Sequence, residues 1–580
     1  MTTRDARLGD ALLVNGLRGV PVEVWLHVFA ATTTHPADLN DLARVCRAWR
    51  SAIIYSPRLW SGVDLNPSAT ASGVSSQMLE QQLQRSCSTT LTVSLVPSCS
   101  CRFGRSRLTQ PTRVARVLQE AQRIATLSLR ACKLCYGPAC PTDGLFSVCT
   151  WPALVSLTVA GKWDDAPLDF NAPNLRHLDL SLSGLEIVPP TMLTTNLSTL
   201  KLGAVSEECA AAVTLICQQL QELTIGSPWE SCPWDGTVFD EYERRGILHV
   251  SPAWHLRVTW YKITQDALRV FLARFSSLRS LELDVTNLVG PSPSIALPPM
   301  PLRVVDVRLG PELQQFDVSG LLDSTIFSQL HRLSIRHGTI PDPNVILSNT
   351  LISINLYSIS TNLSRLAHSL QRMQQLRQLF LQNLHIIQDR QFDVEPIAIT
   401  GHLPYLEQLQ VTYNHSRTES HEDPNVLSFT TFLTHLPAPG TRLQSLSIGR
   451  IEHQHAATLL STACSRMSMQ ECTVAIIHGV SNGGASGAAS TTLFALRGCD
   501  NAGNCTRLSF IIDNPEALSS IFLSIATLSP EIAVNVDIKS IRLFSPQTEN
   551  LDRVIQVVSG LSHLDGLPVT IADRLVDMDA

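Results

Sequence analysis

Leu376-Arg377-Gln378-Leu379-Phe380-Leu381 decides how the chain is read, because its spacing, L-x-x-L-x-L, returns along most of the 580 residues. The same spacing stands at Ile124/Leu127/Leu129, Leu154/Leu157/Val159, Leu175/Leu178/Leu180, Leu197/Leu200/Leu202 and Leu220/Leu223/Ile225. It continues at Leu278/Leu281/Leu283, Leu302/Val305/Val307, Leu330/Leu333/Ile335, Leu351/Ile354/Leu356, Leu406/Leu409/Val411 and Leu443/Leu446/Ile448. A degenerate copy, Ala253/Leu256/Val258, divides the one long step between Leu220 and Leu278. Weaker copies follow at Met469/Cys472/Val474, Cys505/Leu508/Phe510, Ile538/Ile541/Leu543 and Leu564/Leu567/Val569, and after Ile451 the register stays open.

The last two apolar positions of each copy lie two apart, so they share one face of a short strand. The first sits at the bend that leads into it. One such unit cannot bury its apolar face alone, so neighbours must stack. Between the copies run amphipathic segments predicted as helices: Thr112–Ile124, Glu207–Gln219, Gln265–Phe275, Asn362–Met373, Ala456–Met467 and Pro515–Leu528. Leu91-x-Val93-x-Leu95 alternates apolar and polar and predicts a first strand.

The fullest copy is Ile124-x-x-Leu127-x-Leu129-x-x-Cys132-x-Leu134, and Leu185, Leu288, Ile340 and Ile386 repeat its last position. In this spacing the chain resembles the leucine-rich-repeat family. The Asn/Cys position of that family is kept only at Cys132 and Asn414, with Ser183 and Thr286 as approximations, so the array is degenerate. The resemblance implies an α/β solenoid with a curved parallel sheet and helices on its convex side, over residues 111–580.

Such an array also accounts for the length, since 580 residues exceed one ordinary core and a solenoid grows along a single axis. Hydrophobic residues make up 44% of the chain, enough for a continuous core. The net charge of −6 with no basic block argues against nucleic acid as a partner. No apolar run is long enough to span a membrane, and the start carries no targeting signal, so the expected location is cytoplasmic, nuclear or both. The 15 cysteines are scattered. Cys99-x-Cys101, Cys132-x-x-Cys135 and Cys140 invite a zinc reading, but no second C-x-x-C lies at a zinc-finger distance, so no metal and no cofactor is expected.

The segment before Trp60 differs from everything after it. Val20-Pro21-Val22-Glu23-Val24 opens a helix with Pro in its first turn, and Leu26, Val28 and Phe29 continue it. Asp38 precedes a second helix, expected over Leu39–Ile54 as one piece, that carries Val45-Cys46-Arg47-Ala48-Trp49. Pro57-Arg58-Leu59-Trp60 closes the unit. These three parts, in this order, resemble an F-box, with Val20 where the family most often has Leu. The resemblance implies a domain at 17–62, after a leader at 1–16 and before a linker and first capping repeat at 63–110. It also implies docking to the adaptor subunit of SCF-type cullin–RING ubiquitin ligases and, through it, to cullin. The adaptor-facing residues would come from Val20, Pro21, Val24, Leu26, Val28, Phe29, Leu39, Val45 and Cys46. Trp49 and Trp60 would close the helical core or its seam with the repeats.

No catalytic constellation is present, and no enzyme is expected: there is no G-x-S-x-G with an ordered acid and base, no H-E-x-x-H and no kinase signature. Ser481-Asn482-Gly483-Gly484-Ala485-Ser486-Gly487 lacks the Gly-Lys-Ser/Thr ending of a phosphate loop. His453 and His455, and His331 and His337 beside a strand, read as surface residues. Pro228 to Arg245 and His415 to Pro439 read as long insertions on the repeat scaffold. Binding is expected instead on strand residues between the apolar ones. These are Arg257, Glu282, Asp284, Asp306, Arg308, Arg332, Arg336, Tyr357 and Phe380, with His255, Gln408 and Gln410 beside them. Together the features predict a substrate receptor of an SCF-type ligase, its solenoid holding a protein substrate. A leucine-rich-repeat scaffold acting outside any ligase stays open as the alternative.

Overall fold

The computed structural model describes residues 20–32, 36–65, 76–95, 111–130, 150–160, 171–182, 188, 192–226, 234–245, 250–289, 300–313, 315–318, 329–340, 349–361, 366, 369–370, 372–386 and 403–413. Beyond these it describes the strands at 442–452, 468–477, 491–499, 505–512, 536–544 and 569–572, as backbone only. Residues 1–16, Cys99, Cys101, Cys132, Cys135, Cys140, Leu185, 415–439, His453, His455, 481–487 and the expected helices Ala456–Met467 and Pro515–Leu528 lie outside the described residues. The chain divides into two compact units, Met1–Tyr261 with Ala273–Ser277 and Lys262–Leu272 with Leu278–Ala580.

The first unit opens with three helices, α1 (Val22–Thr32), α2 (Pro36–Leu42) and α3 (Arg47–Ile54), and a 3-10 turn at Pro57–Trp60. The single helix expected over Leu39–Ile54 is therefore two. Arg44 and Val45 turn back to the carbonyls of Asp41 and Leu42, and Cys46 is extended, with φ −152° and ψ 167°. Its Sγ accepts the Trp49 N–H at 3.4 Å and so caps α3. Asp38 lies inside the first turn of α2 rather than capping it.

Eight strands follow: β1 (Gly62–Asp64), β2 (Leu91–Leu95), β3 (Ile124–Arg130), β4 (Ser156–Ala160), β5 (His177–Leu182), β6 (Thr199–Ala204), β7 (Glu222–Gly226) and β8 (His255–Thr264). Each pairs in parallel with the next, from β1 to β8. The register aligns one apolar position across all eight, Val63, Val93, Leu127, Leu157, Leu178, Leu200, Leu223 and Leu256. Every one of these side chains is buried. Each contributes about 1.5–3 kcal/mol of burial, and because the rows run across strands, no single strand could gain it alone. The leading leucine of each copy sits in a tight turn: Leu175, Leu197 and Leu220 donate their N–H to the carbonyls of Ala172, Thr194 and Cys217.

Helices α4 (Ser76–Arg85), α5 (Pro111–Leu118), α6 (Glu207–Ile216) and α7 (Thr237–Arg244) lie between these strands. Helix α5 stops well before Ile124, where the expected helix ended; Ile124 starts β3 with its side chain in the core. The insertion read at Pro228–Arg245 contains a packed element. Trp234 lies 5.4 Å from the ring of Trp260, and Phe239 of α7 is fully buried.

The second unit begins with α8 (Gln265–Leu272). It continues with β9 (Ser280–Val289), β10 (Val304–Leu309), β11 (Arg332–Ile340), β12 (Ser353–Thr361), β13 (Gln378–Ile386), β14 (Gln408–Tyr413), β15 (Arg442–Glu452) and β16 (Ser468–Ile477). From β9 to β16 every pairing is parallel and sequential. Leu281, Val305, Leu333, Ile354, Leu379 and Leu409 form one buried row, and Leu283, Val307, Ile335, Leu356, Leu381 and Val411 the next.

One detail explains the last apolar position of the repeat. Ile335 and Ile340 are both buried although five residues apart, an odd step that strict alternation would send to opposite faces. His337 takes a left-handed φ of 62° and re-phases the strand. Ser358 at 54° and Asn383 at 56° stand at the equivalent place in β12 and β13.

After β16 the pattern changes. β17 (Thr491–Cys499) is an unforeseen strand, antiparallel to both β16 and β18 (Cys505–Ile512). Cys499 and Cys505 are too close in sequence for a crossover, which needs about a dozen residues, so β17 and β18 must run in opposite directions. β19 (Val536–Phe544) and β20 (Val569–Ala572) return to parallel pairing. The expectation of a wholly parallel sheet is corrected to this extent. The architecture is α/β, a small helical region followed by long parallel sheet with an antiparallel break.

Candidate functional site

Two surfaces follow from this arrangement. The first belongs to the N-terminal helices. Phe29, Leu39, Ala43, Ile53 and Trp60 form their core, with Trp25, Leu26, Leu42, Trp49 and Leu59 packed around it. Trp49 stands edge-on to Phe29 at 4.9 Å and lies 5.3 Å from Trp25. Trp60 donates its indole N–H to the Ile53 carbonyl at 2.8 Å, and the Arg85 guanidinium of α4 lies 4.5 Å from its ring. Arg85 also donates to Asn40 Oδ1 at 3.1 Å. Of the two places the sequence left open for it, Trp60 takes the helical core, where it also meets α4.

The nine residues expected to face an adaptor separate into two groups. Phe29 is 1% exposed, Leu39 3% and Cys46 8%. They are corrected to internal positions, because three short helices need them to build any core at all. Leu26 is half-buried against the same cluster. Val20, Pro21, Val24, Val28 and Val45 stay on the outside, with Val24 46% and Val28 41% exposed. Val24 and Val28 lie one turn apart on one side of α1, about a quarter turn round from Trp25 and Phe29, with Pro21 just before the helix. Val22 and Tyr55 are also exposed and were not singled out by the sequence.

The second surface is the polar side of the strands in the second unit. The register brings Asp284, Arg308, Arg336, Tyr357 and Gln382 into one row across β9 to β13. A second row holds Glu282, Asp306, Ser334, Asn355, Phe380 and Gln410. Arg308 closes on Asp306 at 3.0 Å, and this bond, with Asp284 and Glu282 nearby, raises its already high pKa. That charge is internally neutralised. Arg336 lies 5.7 Å from the centre of the Tyr357 ring, and His337 meets the same ring edge-on at 5.9 Å. Burial, then the charges of Arg336 and His385, hold His337 below the usual histidine range. His337 is therefore part of a half-buried aromatic pair with Tyr357 rather than a surface residue, and the sequence offered no sign of that contact. Arg332 lies one row further toward the strand starts, opposite Val304 and Ser353. Arg257 belongs to β8 in the first unit, opposite Thr224.

Among the described residues no group of three or more His, Cys, Asp or Glu is placed to hold a metal ion. No helix among them is long and apolar enough to cross a membrane. Cys46, Cys87, Cys209 and Cys217 are free thiols, and burial pushes Cys217 up to about 12.

Residues 17–66 match the F-box-like family. That span covers the helices, Trp60 and the first strand, and it implies binding of an SCF-type adaptor. No curated protein matches the chain.

Proposed function

We propose that the chain is a substrate-receptor subunit of an SCF-type ubiquitin ligase, with its sequential strands forming a degenerate leucine-rich-repeat solenoid that holds a protein substrate. The observation that carries this reading is the apolar side of α1. Val24 and Val28, with Val20, Pro21 and Val45, stay exposed on a domain of the F-box-like family while Phe29 and Leu39 do the packing. A few partly buried anchors of this kind dominate a typical interface. The receptor performs no bond chemistry. Holding a substrate near the charged conjugating enzyme raises the effective concentration of the target lysine. A row-by-row hydrogen-bonded sheet suits this role because it fixes distance and direction. The reading places the protein in the cytoplasm, the nucleus or both.

Co-purification of the full chain with the adaptor and cullin tests it. Recovery of both supports the receptor. Recovery of the adaptor without cullin favours a scaffold acting outside a ligase, and a folded chain that captures neither overturns the reading.

A further inference from the structure

Three arginines lie together at the strand starts of the second unit: Arg332, at the edge of the polar strand side, and Arg279 and Arg303, one residue before β9 and β10. Arg303 donates its backbone N–H to the Arg279 carbonyl at 2.7 Å, and both His331 and Arg332 donate to the Arg303 carbonyl, at 2.8 and 3.1 Å. These bonds set Arg279, Arg303 and His331 in one row, about 4.8 Å per step, with Arg332 one residue further along β11, opposite Val304. All three arginine side chains are exposed. Among the described residues none of them meets a carboxylate, whereas Arg269, Arg308 and Arg377 pair with Asp266, Asp306 and Glu407. Like charges on neighbouring strands repel, and in a chain of net charge −6 counter-charges are plentiful. Leaving these three uncompensated costs stability without a structural return. The column then runs on to Ile352, also exposed, which donates to the His331 carbonyl at 2.8 Å.

We propose that Arg279, Arg303 and Arg332 form a cationic strip that docks an extended acidic protein segment, its carboxylates over the arginines and an adjoining apolar side chain over Ile352. This rests on the reading that the array binds protein. The three arginines stand at the starts of three successive strands, a spread of about 10 Å between the outer two, which fits successive carboxylates better than one phosphate. Glu282, Asp284 and Asp306 lie only three to five residues further along the same strands. A nucleic-acid backbone broad enough to span those strands would meet them, while a single peptide along the strand starts would not.

The test is fluorescence anisotropy of the full chain with a labelled Asp/Glu-rich peptide ending in Leu, beside its Asn/Gln counterpart. The acidic peptide should bind, the amide peptide should not, and added salt should weaken binding. Arg279→Gln/Arg303→Gln/Arg332→Gln should weaken it about ten-fold. Arg377→Gln, whose charge Glu407 already cancels, should leave it unchanged. Equal binding of the two peptides, or an unaffected triple variant with an unchanged melting profile, overturns the proposal. So does binding of a phosphopeptide or duplex DNA in place of the acidic peptide. Adaptor capture by the same variant separates the two readings: capture without peptide binding sinks the strip alone, and peptide binding without capture sinks the ligase reading alone.

Discussion

Truncating the exposed side of α1 with Val24→Ala/Val28→Ala should weaken adaptor binding and leave the fold intact. Fully burying a valine side chain is worth about 1.5–3 kcal/mol. Val24 and Val28 keep 46% and 41% of their area exposed, so roughly 1 kcal/mol remains available at each for a partner to bury. Losing both costs about 1.5–2 kcal/mol, or roughly 10–30-fold in Kd. Isothermal titration of the full chain against purified adaptor reads this directly, with a thermal melt of each variant as the fold control. Phe29→Ala is the contrasting case: its ring is wholly inside, against Trp25 and Trp49. That change should cost about 3–5 kcal/mol of stability and abolish binding by unfolding the helices. A Val24→Ala/Val28→Ala chain that binds within about two-fold of the native one, with an unchanged melt, would refute the assignment of this face.

Three further expectations concern stability. Trp60→Ala removes the bond to Ile53 and the stacking of Arg85 together, and should cost about 3–5 kcal/mol, read as early proteolysis of the N-terminal helices. Arg123 donates to the Leu83 carbonyl at 2.9 Å and to Ser86 Oγ at 3.0 Å, reaches the Cys87 carbonyl, and pairs with Glu120 at 2.8 Å. Arg123→Ala strands those acceptors at the end of α4 and should cost about 1.5–3 kcal/mol in urea unfolding. Glu207 accepts the N–H groups of Asp235 and Gly236 at 3.2 and 3.4 Å. Burial raises its pKa against the pull of the Gly236 N–H. Its protonated form is therefore favoured in the folded chain, so the Glu207-linked share of stability is present in acid and is lost as pH rises above the ordinary glutamate range. Glu207→Gln should flatten urea stability as pH rises above the ordinary glutamate range; an unchanged slope would count against the buried carboxylate.

The helical region was legible in outline because helical spacing and Pro21 declare themselves locally. Its division of labour was not. Phe29 and Val28 are adjacent apolar residues, and only the packing of α2 and α3 decides that one is core and the other surface. Cys46 reads as an adaptor-facing residue, yet it is buried and its sulfur caps a helix, which required the chain to break there. The same limit applies to the strand face. Asp306, Arg308 and Arg336 are equally charged strand residues in sequence. Asp306 and Arg308, two apart on β10, pair with each other, and the register sets Arg336 over Tyr357. Trp234 and Phe239 looked like part of a surface insertion until Trp260 supplied a partner.

What the sequence determined by itself is the face each repeat residue takes. Period-two alternation is a property of the extended backbone, and L-x-x-L-x-L marks it copy by copy, so the rows from Val93 to Leu256 and from Leu281 to Leu409 were predictable, whereas the strand that holds Val63 was not. Tertiary structure alone decided that Arg377 meets Glu407, which apolar residues remain outside, and that β17 runs backward. Those outcomes depend on contacts between residues distant in the chain and on how short a connection must be crossed, and local spacing carries no information about either.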